Sequence, residues 1–209
     1  MDTLSGGFFL SLFDRVPTWA VLAPIFICSV VFLGVVIERV VFFRRVNLDY
    51  RLLLRNISSL LGARKAKRDE ASLFLMSYSG PLVEMMRGIL DSAGTTENRE
   101  LVIRDISERT ILRVEKHAGI VATIATVSTM LGLFGTITGM MKSFSSLSQY
   151  GQGAQELLAR GIAEALITTA LGLTVAIPAL LFYNYMVSRI DYFVKEVEFI
   201  ANSLDEMLK

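Results

Sequence analysis

One cysteine, one histidine and one tryptophan are all that these 209 residues hold of three chemically useful types, and proline occurs only four times. The lone Cys28 excludes a disulfide framework and any cysteine-based zinc cluster. The lone His117 removes most histidine-based metal and acid–base constellations. No H-E-x-x-H motif is present, and no Ser/His or Asp pair lies inside an apolar segment, so the chain reads as not an enzyme, with no cofactor and no resident metal. An excess of one charge is missing as well. The 21 Lys and Arg against 20 Asp and Glu leave a net charge of +1, which gives no case for nucleic acid. What the chain does have is apolar surface: 53% hydrophobic residues and a mean hydropathy of +0.52. That is too apolar for an ordinary soluble domain unless much of it faces lipid.

Three stretches without a charged residue carry the excess: 16–37, 118–141 and 165–188. They hold 22, 24 and 24 residues, and about 20 helical residues cross a hydrocarbon core. Because lipid offers backbone groups no partners, each must be a helix. Trp19 at one end of the first, and Tyr183 and Tyr185 at one end of the third, suit interfacial positions. The expected fold is therefore all-α: an integral membrane protein with three transmembrane helices and long cytoplasmic helical extensions.

Of the 21 Lys and Arg, 15 lie in 38–117, whereas 142–164 carries only Lys142 and Arg160. The positive-inside rule makes the long segment cytoplasmic, with Arg39, Arg44 and Arg45 holding the first span. This divides the chain into an external segment 1–15, a cytoplasmic helical region 38–117, a short external loop 142–164 and a cytoplasmic helix 189–209. Asp2 and Asp14 sit where a signal peptide would be basic, so the first span reads as an uncleaved anchor. Residues 49–116 look helical without a deep core, and Ile103 to Val114, among many charges, suit a helix extending the second span. Gly80-Pro81 and Gly94-Thr95-Thr96 mark loops or helix ends. The basic run Arg64, Lys65, Lys67 and Arg68 suits either anionic lipid or a solvated turn. Ile190, Phe193, Val197, Ile200, Leu204 and Met207 recur at heptad-like steps, a stripe for packing on another helix.

Small residues line two spans. Ala118, Ala122, Ala125, Thr129, Gly132, Thr136, Gly139 and Ser143 follow one face of the second, with Ile120, Ile124, Val127, Leu131 and Phe134 opposite. Gly161, Ala165, Thr168 or Thr169, Gly172, Ala176 and Ala179 do the same in the third. Close packing is one reading, with Gly132, Gly135, Gly139 and Gly172 as the packing glycines. A narrow polar track offering the oxygens of Thr136, Thr168 and Thr169 to water or an ion is the other, and the two are compatible. No Asp, Glu, Lys, Arg or His interrupts the spans, so the chain alone is an incomplete proton relay. At the edges, Glu164 suits an outer mouth or simply a helix start. Glu38-Arg39 reads as an edge pair and His117 as interfacial. Pro178 is expected to kink the third span, and Pro24 the first.

The segments IATVSTMLGLFGTITGMMKSF (124–144) and GIAEALITTALGLTVAIPALLFYN (161–184) resemble the second- and third-span signatures of the TolQ/ExbB/MotA family, and Glu38-Arg39 also fits. The three-span layout is similar to the ExbB/TolQ branch rather than the four-span flagellar one. The resemblance implies a bacterial inner-membrane motor subunit, N-terminus outside and C-terminus cytoplasmic. It implies a homopentamer around a dimer of a single-span ExbD- or TolR-like partner, whose membrane aspartate supplies the missing carboxylate. It assigns Thr136 and Thr169 as channel-facing threonines and Glu164 as the acid heading the third span, with protons as the transported ion. Two positions depart from the family pattern: Ser128-Thr129 stands where many relatives have Ala-Pro, and Thr168-Thr169 where proton-type members have Ala-Thr. A threonine pair resembles the sodium-type branch, since hydroxyls replace part of a metal cation's hydration shell. Sodium held at Thr136, Thr168 and Thr169 is therefore the alternative, and a non-conducting membrane scaffold is the second. A sodium-driven chain would stop working without sodium and after Thr168→Ala; activity that persists in both cases assigns the proton.

Overall fold

The computed structural model describes residues 17–46, 50–61, 68–92, 99–150 and 155–208. Within them lie seven helices and no strand: α1 (Trp19–Val46), α2 (Tyr50–Leu61), α3 (Arg68–Leu75), α4 (Pro81–Ser92), α5 (Arg99–Glu115), α6 (Ala118–Tyr150) and α7 (Gln155–Leu208). Residues 1–16, Arg64, Lys65, Lys67 and Gly94-Thr95-Thr96 lie outside the described residues. Three helices are long and apolar enough to cross a membrane. The all-α membrane architecture read from the sequence is present.

The chain forms two compact units, one of residues 1–36 and 119–184, the other of 37–118 and 185–209. In the first, α1 buries Val21, Ile25 and Phe32 along one line and exposes Phe26, Ile27, Val30, Val31 and Leu33. A single buried line with apolar side chains all round is what a helix at a lipid boundary carries. Phe32 meets Phe182 of α7 edge to face, with ring centroids 6.2 Å apart. α6 and α7 run beyond the charge-free stretches, to Tyr150 and from Gln155, so most of the loop expected at 142–164 is helix. Neither Pro24 nor Pro178 interrupts its helix.

The second unit corrects the expectation that residues 49–116 lack a deep core. Leu53, Leu54 and Ile57 of α2, Ala71 and Leu75 of α3, and Leu82, Val83, Met85, Met86, Ile89 and Leu90 of α4 are all buried. The spacing within α4 puts its six apolar residues on one face. Pro81 opens that helix, where its missing N–H is no loss. Gly80, at φ 151°, admits the turn into it, and the Glu84 N–H makes the first helical bond to the Gly80 carbonyl, 3.0 Å. A Cβ on Gly88 would stand 3.3 Å from Ile106 of α5, so α4 and α5 pack closely. α5 itself carries i,i+4 pairs on its outer face, Arg104–Glu108 at 2.8 Å and Arg109–Asp105 at 2.9 Å.

The second half of α7 buries Met186, Ile190, Phe193, Val197, Ile200 and Leu204 at steps of four and three, with Met207 exposed. The stripe read from the sequence thus forms part of this core up to Leu204. Met86 is fully buried at 0% exposure. Met86→Ala is expected to cost the folded chain about 2–5 kcal/mol, the range for large-to-small core changes. A lowered thermal midpoint of the detergent-solubilised protein, followed by circular dichroism, checks this, and an unchanged midpoint refutes it.

Candidate functional site

Within the first unit the small residues of α6 and α7 meet. A Cβ on Gly172 would lie 2.6 Å from the Ser128 carbonyl oxygen and 2.9 Å from the Gly132 Cα. A Cβ on Gly139 would lie 2.7 Å from that of Ala165, and one on Gly132 3.2 Å from the Thr169 Cα. A Cβ on Gly135 would collide with the Thr168 side chain, and one on Gly161 with the Ser143 hydroxyl. Backbones come this close only where side chains are absent or small. On α7 the buried line is Ala165, Thr168, Gly172, Ala176 and Ala179. On α6 it is Val121, Ala125, Ser128, Gly132, Gly135 and Thr138. The buried line of α6 is turned by about one residue from the stripe read in the sequence, which puts Thr129 on the exposed side and Thr136 at the margin. Ile124, assigned to the opposite side, is buried as well.

The threonines separate into different roles. Thr169, half-buried, donates from Oγ1 across the helix boundary to the Gly132 carbonyl at 2.7 Å. That carbonyl also takes the helical bond of the Thr136 amide four residues on, so Thr136 and Thr169 share one acceptor. Thr136 sends its own hydroxyl to Leu133 O at 2.7 Å. Thr168 is 2% exposed, donates to Ala165 O at 2.7 Å and packs against Gly135. Thr138, which the sequence reading passed over, is also buried, with its hydroxyl near Phe134 O and Gly135 O. Ser128 Oγ is buried without a hydrogen-bond partner. Hydroxyls that donate back to their own helix keep oxygen lone pairs for water or a cation.

A cavity of about 160 Å³ lies in the same unit between α1, α6 and α7. Thr138, Ser143 and Thr168 line it, together with the charged groups Lys142, Arg160 and Glu164. Glu164 is half-exposed and pairs with Arg160 at 3.4 Å, one helical turn away. Thr136, Thr169 and Pro178 do not line this cavity. Pro178 has no N–H to give the Thr174 carbonyl, the acceptor four residues earlier. Among the described residues, no group of three or more His, Cys, Asp or Glu could hold a metal ion.

In the second unit, Arg39 was read as an edge charge; its side chain is 2% exposed. Its Nη1 donates to Val114 O at 3.1 Å, and its Nη2 stands 3.0 Å from His117 Nδ1. The Phe42 ring lies 5.0 Å from the guanidinium carbon. His117 has φ 73°, a left-handed conformation that separates α5 from α6. The helix expected before the second span is present as α5, parted from α6 by the two turn residues Lys116 and His117. Arg39 donates to the Val114 carbonyl, the acceptor that the Ala118 amide would meet in an unbroken helix.

Three apolar helices, two of them locked through glycine and threonine, define an α-helical membrane protein. The profile of the MotA/TolQ/ExbB proton channel family matches residues 78–199. The chain is 42% identical over 98 residues to the Tol-Pal system protein TolQ of Haemophilus influenzae, which covers 47% of this chain and 42% of that one. It is 34% identical over 154 residues to the biopolymer transport protein ExbB of Salmonella typhimurium, 67% of this chain and 62% of that one. It is 31% identical over 172 residues to a putative biopolymer transport protein, ExbB-like 3, of Synechocystis, 78% of this chain and 79% of that one. The match thus spans less than two thirds of the TolQ and ExbB chains. The chain belongs to the MotA/TolQ/ExbB family, on its ExbB/TolQ-like side.

The glycine contacts carry a direct expectation. Gly172→Ala puts a methyl against backbone atoms, which must shift, at a cost of about 1–3 kcal/mol. Gly34, with nothing within 4 Å of its Cβ position, tolerates alanine, gaining about 0.5–1 kcal/mol of helix propensity. Thermal unfolding of the two variants side by side tests the contrast, and equal midpoints would refute the close approach.

Proposed function

We propose that this chain is the channel-forming subunit of an ion-motive-force-driven motor in the bacterial inner membrane. Five copies surround a dimer of an ExbD- or TolR-like single-span protein, whose membrane aspartate binds and releases protons as one ring turns against the other. The observation that carries this reading is the neutrality of the packed α6–α7 pair. Residues 118–141 and 165–188 contain no Asp, Glu, Lys, Arg or His, yet they present several hydroxyls, and Thr169 donates across the helix boundary to the Gly132 carbonyl. A proton relay through a membrane generally uses a titratable side chain, and in this reading a companion brings it. The family and the TolQ and ExbB relatives support the same reading.

In this assembly Thr136 and Thr169 line the path beside the partner's aspartate. Glu164, with the hydroxyl-lined cavity next to it, stands at the outer mouth. The N-terminus is outside, and the charged second unit, rich in Lys and Arg, is cytoplasmic. Thr168 bears on ion choice. Its hydroxyl donates to Ala165 O and its side chain fills the space over Gly135, and the proton channel family that the chain matches favours protons over sodium.

Liposomes test the proposal. The chain alone should carry no proton current; with an ExbD/TolR-like partner it should, and replacing the partner's aspartate should stop it. Thr169→Ala removes an interhelical bond worth only ~0.6 kcal/mol in comparable membrane proteins, so assembly should survive. Flux should nevertheless fall about tenfold or more, a barrier rise of ~1.4 kcal/mol. Thr169→Ser should restore it, and Thr136→Ala should also lose flux. Wild-type flux in both alanine variants would remove their assigned role. Absence of any flux with the partner present would leave a scaffold, and flux seen only in sodium would reassign the ion.

A further inference from the structure

His117 Nδ1 lies within hydrogen-bonding distance of two groups of opposite demand. Arg39 Nη2 is 3.0 Å away and can only donate; Glu38 Oε2 is 2.8 Å away and, when ionised, can only accept. One nitrogen cannot serve both at once. Without a proton, Nδ1 accepts from Arg39 and the ring keeps its hydrogen on Nε2. With a proton, Nδ1 donates to Glu38 and Arg39 loses that acceptor. These three residues are the chain's only histidine, a fully buried arginine and a carboxylate whose side chain is 52% exposed.

We propose that Glu38, Arg39 and His117 form a proton-binding site that locks the C-terminal end of α5 when empty and loosens it when filled. The proton comes from water as hydronium: its O–H bond breaks, the Nδ1–H bond forms, and the ring changes from neutral to +1. Half-exposed Glu38 gives the proton access, and the 2.8 Å contact receives it. Arg39 then faces a cation at close range. Its Nε has no hydrogen-bond partner and lies 3.8 Å from Glu38 Oε2 as an ion pair, so Val114 O remains its one hydrogen-bonded acceptor. A buried guanidinium left with one hydrogen-bonded acceptor, and sharing the Glu38 carboxylate with a cationic ring, is costly, so Arg39's hold on the end of α5 weakens. The other charges around the site are few. Glu115 and Lys116 flank His117 in sequence and are exposed, and Arg189, the first charged residue of α7 in this unit, is engaged by Tyr185 at 3.1 Å. That the site meets protons delivered by the channel rests on the function proposed above; that it binds them does not.

Nitrogen NMR of histidine-labelled full-length protein in lipid bilayers, titrated between about pH 5 and 8 where imidazoles change charge, tests the site directly. Nδ1 should appear as a bare acceptor at the high end and as a protonated donor at the low end. Glu38→Gln should lower the midpoint and Arg39→Gln should raise it, each by about half a pH unit or more. Amide exchange at residues 114–119 should quicken below the midpoint in the wild type and show no such step in His117→Gln. Equal midpoints in wild type and Glu38→Gln, or an Nδ1 protonated across the whole range, would overturn the proposal. Because Glu38 is half-exposed, its variant keeps the test decisive even where Arg39→Gln fails to fold. Partner-dependent liposome flux is scored separately: normal flux with no switch at His117 sinks this site alone, and a clean switch without flux sinks only the motor.

Discussion

Where Gly132 of α6 faces Gly172 of α7, the two backbones are close enough that a methyl on Gly172 would stand 2.6 Å from the Ser128 carbonyl oxygen. Lipid tails are as apolar as leucine, so helices in a membrane gain little by hiding hydrophobic surface from one another. They gain by packing and by hydrogen bonds that cross the interface. Both gains require the approach that these glycines permit. Once the backbones are close, the Gly132 carbonyl comes within 2.7 Å of the Thr169 hydroxyl, and Thr168 fills the space over Gly135. Large side chains are displaced outward, which is why Met130, Leu133, Leu166, Ile167 and Leu181 remain exposed.

The same approach constrains the chemistry. A charged side chain has no room between α6 and α7, and none is encoded in the two segments. What remains there is a set of hydroxyl and carbonyl oxygens in fixed positions. Such oxygens can orient water or steady a passing cation, but they cannot take up and release a proton near neutral pH. Charge appears again at the cavity edge, where Lys142, Arg160 and Glu164 gather beside Thr138 and Ser143. A neutral pair with a charged cavity at one end is the arrangement on which the proposed ion path rests.

Much of this was legible in the sequence, because a membrane span leaves a coarse signal: long charge-free runs, small residues at helical steps, and lysine and arginine crowded into one segment. The stripe of α7 was largely legible, with Ala165, Gly172, Ala176 and Ala179 buried; the sequence left Thr168 and Thr169 undivided, and it is Thr168 that is buried. That of α6 was not, since Ser128, Gly135 and Thr138 are as small and as polar as Thr129, Thr136 and Gly139, and periodicity alone cannot choose between neighbouring faces. The core of the second unit was missed for a different reason. Its buried residues are spread over α2, α3, α4 and α5, none longer than 17 residues, and the second half of α7 completes them from nearly a hundred positions away. Each short piece looks like a surface helix by itself, and only their meeting makes a core.

Arg39 marks the limit of sequence reading most clearly. At the end of an apolar run, beside Glu38, an arginine has the ordinary meaning of a charge that stops a helix from sliding into lipid. In the structure it is almost wholly buried and reaches 75 positions along the chain to the Val114 carbonyl. That carbonyl is left open because His117 adopts a left-handed backbone, a conformation that costs a non-glycine residue about 1–2 kcal/mol. A cation at the C-terminal end of a helix interacts favourably with the partial negative charge there, and the hydrogen bond satisfies an acceptor that would otherwise be buried and unpaired. The break at His117 and the burial of Arg39 therefore belong together. With the helix broken at His117, an exposed Arg39 would leave the Val114 carbonyl without the donor that it has here.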